Sequence, residues 1–135
     1  MMLLLCQLPA EQDPKATDFR YIYFTEVNPE VRDAVPDLQI FNNGTYISRP
    51  SALVDHHEIF ESKLSEENHH TLQNIMKELY HHDEEIGKKD HAKGKVFRLT
   101  VFYKYHYRAF VIYEPEESPL AIKQALNLLS NLEHY

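Results

Sequence analysis

A chain of 135 residues, 43% hydrophobic and 26% charged, carries enough apolar material for one packed core without a disulfide or a structural metal. Its formal charge of −7 disfavours nucleic acid and anionic membranes as partners, because the mean field repels both. The single cysteine, Cys6, excludes an intramolecular disulfide and fits a reducing, cytoplasmic setting.

The opening run from Met1 to Cys6 is apolar, but it lacks the basic flank and the long apolar core of a secretory signal, and Leu5 is too bulky for the position before a lipidated cysteine. Residues 1–18 are therefore expected to be an N-terminal arm or short strand plus linker, leading into a single α+β domain over 19–135. No segment approaches the roughly 18 apolar residues of a membrane span.

Aromatic and β-branched residues crowd the stretch from Phe19 to Val27, which predicts a strand. Leu38–Phe41 and Thr45–Ser48 flank Asn42-Asn43-Gly44, residues that tolerate the positive φ of a tight hairpin turn. Pro50, with no amide hydrogen, ends the second of these strands. Ser65 stands before Glu66 and Glu67, a cap followed by acids at the positive end of the helix dipole, and Leu72, Ile75, Met76 and Leu79 recur on one face; a helix follows from about Glu66 to His81.

The polar stretch from Asp83 to Gly94 reads as a loop. Beyond it, Lys95 to Tyr103 and Tyr107 to Glu114 read as strands joined in a hairpin. In the first, Phe97, Leu99, Val101 and Tyr103 share one face while Arg98, Thr100 and Lys104 share the other. Ser118-Pro119 predicts a helix start with serine as the cap, and Ile122, Ala125, Leu126, Leu129 and Leu132 continue an apolar stripe towards the C-terminus. The expected fold is an α+β, two-layer structure: an antiparallel sheet of about five strands with two helices packed on one face, in the order β-ββ-α-ββ-α.

Nine histidines include the doublets His56-His57, His69-His70 and His81-His82. Imidazole with carboxylate suits zinc, and Asp55, His57, His82 and Asp83 are the ligands such a site would use. No H-E-x-x-H motif is present, and adjacent helical residues diverge by about 100°, so the doublets also read as exposed, hydrogen-bonding histidines. Catalytic signatures are missing elsewhere. Three glycines form neither a phosphate-binding loop nor a dinucleotide fingerprint, and no nucleophile sits in a recognised elbow, so the chain reads as a binding protein with no cofactor, with a histidine-dependent metal-binding protein or zinc metallohydrolase as the alternative.

Charge is distributed unevenly. Between Ile86 and Arg108 seven bases face one acid, a segment of +6 that leaves −13 for the rest of the chain. Lys88, Lys89, Lys93, Arg98, Lys104 and Arg108, interleaved with Tyr103, Tyr105 and Tyr107, are the expected contact residues for another protein with an acidic surface, or for a second copy of this chain. Single-stranded nucleic acid uses the same combination of cations and aromatic rings, and is the rival that the net charge weighs against.

Overall fold

Strict alternation of inward and outward side chains builds the sheet. A computed structural model describes residues 18–27, 36–49 and 59–132. In β1 (Tyr21–Val27) Ile22 and Phe24 are buried, in β2 (Asp37–Phe41) Leu38 and Ile40, and in β3 (Thr45–Arg49) Tyr46 and Ser48. β6 (Val96–Phe102) buries Phe97, Leu99 and Val101, and β7 (Tyr107–Ile112) buries Phe110 and Ile112. Register aligns these sets, with Ile22 beside both Ile40 and Val101, Phe24 beside both Leu38 and Leu99, and Leu99 beside Phe110. A two-residue periodicity thus becomes one continuous apolar face.

Helices cover that face. In α1 (Glu66–Leu79) Ser65 accepts the Asn68 amide at 3.1 Å, with Glu66 and Glu67 in the first turn as expected. Leu72, Ile75, Met76 and Leu79 of α1 join Ile122, Ala125, Leu126 and Leu129 of α2 (Leu120–Ser130) and the strand residues in one core. Ser118 does not cap α2. Its hydroxyl donates instead to the Glu114 carbonyl at 2.8 Å, tying down the turn at Pro115–Glu117, and Pro119 occupies the cap position without a side-chain bond.

Among the described residues the fold is α+β with two helices, and β4 (Phe60–Lys63), antiparallel to β3, and β5 (Glu85–Ile86), parallel to β7, extend the sheet. It is thus a mixed sheet of seven described strands in the order β4-β3-β2-β1-β6-β7-β5, which corrects the expected five antiparallel strands. Both additions are sheet-edge elements with little to bury: β4 has no fully buried residue and β5 has only Ile86. Apolar patterning therefore could not announce them. β5 lies within the stretch expected to be loop, as does a 3₁₀ turn at Lys89–His91. The Asn42–Gly44 turn forms as expected, with Gly44 at φ +91°. β6 and β7 make the expected hairpin, closed by the Tyr103 amide donating to the His106 carbonyl at 2.7 Å. The expected arm and the strand-ending Pro50 fall outside the described residues.

Tyr103 joins the hairpin to α1. Its hydroxyl donates to the Met76 carbonyl, and its ring meets Tyr80 edge-on at 4.9 Å. Burial raises its pKa above the ordinary phenol value; Arg108 opposes the shift and Tyr80 adds to it. Because the folded pKa is the higher one, this contribution to stability is intact below about pH 10 and falls as pH rises further, where the unfolded chain releases the proton first. Tyr103→Phe is expected to cost about 1 kcal/mol near pH 7 and to flatten the loss of stability above about pH 10. Denaturant titrations of both proteins at the two pH values check this.

Candidate functional site

With both helices on one face, the opposite face of the sheet carries no helix among the described residues. The side chains that alternate with the core set point there. In one register row Phe41, Tyr21, Phe102 and Tyr107 follow one another across β2, β1, β6 and β7. Successive ring centroids are 5.4, 5.7 and 5.7 Å apart. These are packed rings, tilted rather than parallel, at distances typical of favourable aromatic pairs. Exposure is 40% for Phe102 and 61% for Tyr107, and Tyr23, one row away on β1, is 39% exposed. Phe41 and Tyr21 are partly buried, so the row presents its apolar surface to water chiefly through Phe102 and Tyr107.

Polar groups hold the row in place. Gln39 donates to the Tyr21 hydroxyl at 2.8 Å and accepts from Arg49 Nε at 3.2 Å, which links β3, β2 and β1 on the open face. Burial raises the pKa of Tyr23, with the neighbouring Asp37 and Tyr21 adding to the shift and Arg49 opposing it. The face is preorganised, since its rings are already in contact in the single chain.

The basic segment that is continuous in sequence is divided in space. Lys88, Lys89 and Lys93 are exposed around the 3₁₀ turn beyond β5, where the Lys88 amide donates to Glu114 Oε2 at 2.9 Å. Lys104 and Tyr105 form the turn before β7, at the opposite end of a strand about 20 Å long. There Lys104 Nζ lies 5.2 Å from the Tyr105 ring centroid, a cation–π contact. Arg98 is exposed on the open face, and Tyr107 belongs to the aromatic row.

Two of the expected contact residues are turned inward. Tyr103 is buried in the core. Arg108 donates to the His82 carbonyl at 2.6 Å and lies over the Phe110 ring, clamping the end of α1 to β7. Nor is β7 open to edge pairing. Glu84 closes its outer side, the carboxylate accepting from the Ala109 amide at 2.7 Å and the main-chain carbonyl from Val111 at 2.8 Å, and Ile86 accepts from Tyr113 at 2.8 Å. The strand-addition route is thus occupied by the chain itself.

Of the candidate zinc ligands, His82 and Asp83 are adjacent at the end of α1, while Asp55 and His57 lie outside the described residues. No group of three or more metal-ligating side chains converges among the described residues. A cleft of about 450 Å³ lies between the basic turn and Glu114, with Phe97 and Tyr113 in its wall. Its best-placed pair for proton transfer, His91 Nδ1 and Glu114 Oε1, is 3.7 Å apart, and Glu114 is engaged in holding the Lys88 amide. That carboxylate also lies against Gly87, at φ +84°, where a Cβ would come within 2.7 Å of it. These contacts give Glu114 a place in shaping the turn.

Phe102 and Tyr21 were not among the expected site residues. Their signal lies in the alternation itself, for Phe102 falls on the same side of β6 as Arg98 and Thr100, the side expected to face water. A large ring in that register places apolar surface on the side of the strand expected to be wet. No known protein-family model matches this chain, and no curated protein matches it either. No helix among the described residues is long and apolar enough to cross a membrane.

Proposed function

We propose that this protein is a non-enzymatic, cytoplasmic protein-binding module whose contact surface is the open face of the sheet. The observation that carries this reading is the row of packed rings Phe41–Tyr21–Phe102–Tyr107 lying across four paired strands, with Phe102 and Tyr107 exposed. Aromatic side chains supply large contact area with few rotors to immobilise, and rings already packed on one another lose little further freedom on binding. Arg98 on the face and the Lys104–Tyr105 turn beside it provide cations for carboxylates of an acidic partner. An adaptor, an inhibitor, an immunity protein or a chaperone would each use such a surface.

This proposal moves the expected site. It keeps Arg98, Lys104, Tyr105 and Tyr107 as contacts and leaves Lys88, Lys89 and Lys93 to the far end of β7, with Tyr103 and Arg108 in structural roles. The test is affinity capture from the native host with the full chain and with a Phe102→Ser/Tyr107→Ser variant whose fold is checked by circular dichroism. Loss of the specific partners from the variant supports the reading, and their full retention overturns it.

A further inference from the structure

β1 is the fourth of seven strands and so bisects the sheet. On the open side its neighbours are disposed in matched rows. Phe41 and Phe102 stand on either side of Tyr21, and Gln39 and Thr100 on either side of Tyr23. One row further, Arg98 is beside Thr25, and the pairing of Phe24 with Leu38 sets Asp37 on its other side. An acid and a base thus flank the central strand at the same level.

That arrangement is complementary to itself. When two such faces meet with a two-fold axis along β1, the positions on β2 and β6 exchange, so Asp37 of each copy lies over Arg98 of the other and Phe41 over Phe102. The contact is isologous, the geometry of most homodimers. We infer that the open face docks a second copy of this chain about that axis, with two reciprocal Asp37–Arg98 pairs at one end and the aromatic row at the other. The inference rests on the reading of this face as the contact surface.

Charge favours the same occupant. In a chain of −7, the open face balances Arg49, Lys63 and Arg98 against Asp37, Glu61 and Glu85. Two such faces meet without net repulsion across the interface. Asp37 makes no ion pair with another described residue, and burial raises its pKa. With the folded pKa above the unfolded one, its contribution in a single copy is favourable only at low pH and is lost as pH rises through the folded value. Near neutrality the carboxylate therefore does not help one copy fold; an arginine from a second copy would offset its desolvation.

Size is adequate as well. Six strands at about 4.8 Å spacing and about 20 Å long give a face of roughly 500 Å², or about 1,000 Å² for the pair, near the lower bound of specific interfaces. Facing sheets pack with strands aligned to within about 30°, as a two-fold along a strand provides.

Sedimentation equilibrium of the full chain tests the inference, using wild type, Asp37→Arg, Arg98→Asp and the charge-swapped double variant, each shown to be folded by circular dichroism. The expected result is a wild-type dimer, dissociation constants raised roughly tenfold or more in each single variant by like charges facing one another, and recovery in the double variant. A wild-type protein that stays monomeric at every concentration overturns the dimer, including when cross-linking ties residues 1–17 to the face. Dimerisation unchanged in both single variants overturns it too. The two readings fail separately: a monomer whose other partners are lost with Phe102→Ser/Tyr107→Ser keeps the contact surface and loses only the second copy, whereas full retention of those partners overturns the contact surface itself.

Discussion

Leu99→Ala is expected to destabilise the protein by about 3–4 kcal/mol and to lower its melting temperature by roughly 10 °C. Leu99 is fully buried at the centre of the core, between Phe24 on β1 and Phe110 on β7. Truncation removes its transfer energy and leaves a cavity that two flanking strands cannot close by moving, since both are held in register by their own ladders. Phe102→Ala, three residues along the same strand, is expected to cost only about 1 kcal/mol, because its ring is 40% exposed and loses chiefly its contacts with Tyr21 and Tyr107. Thermal and denaturant melts of the two variants make the comparison. Similar losses at both positions would mean that the open face is a second core surface in the single chain.

Arg108→Ala is expected to cost about 2 kcal/mol, with the loss concentrated at the end of α1. The guanidinium donates to the His82 carbonyl at 2.6 Å and lies over the Phe110 ring, so removal leaves a carbonyl without its donor and takes a cation–π contact from a core ring. Its Nε is buried without a hydrogen-bond partner among the described residues, which subtracts from what the arginine contributes and keeps the expected cost at the lower end for a charged donor. Hydrogen exchange should speed up at Leu79 to His82 more than in β1 or β2. A variant of unchanged stability that loses a binding partner would instead return Arg108 to the contact surface.

Aromatic and β-branched content made β1 legible, the Asn42-Asn43-Gly44 turn marked the β2–β3 hairpin, and apolar periodicity marked α1, β6 and the C-terminal helix. β4 and β5 bury too little for any periodicity to mark them, although β5 closes the outer edge of β7. The site was legible only in part. Linear charge drew attention to residues 86–108, but a strand running between two turns carries the ends of a charged segment apart, as Lys88 and Lys104 show. Tyrosines at alternate positions also diverge: the hairpin turn intervenes, so Tyr103 turns into the core while Tyr107 points to the open face. Pairing register brings Phe41, Tyr21, Phe102 and Tyr107 together from three separate segments, and no linear pattern contains that row.

Quantitative affinity capture from the native host with two variants side by side separates contact through the open face from contact through the basic turn. Phe102→Ser/Tyr107→Ser alters the aromatic row; Lys88→Glu/Lys89→Glu/Lys93→Glu reverses the charge of the distant turn. The first variant is expected to lose the specific partners while the second keeps them. Retention by the first together with loss by the second would contradict contact through the open face.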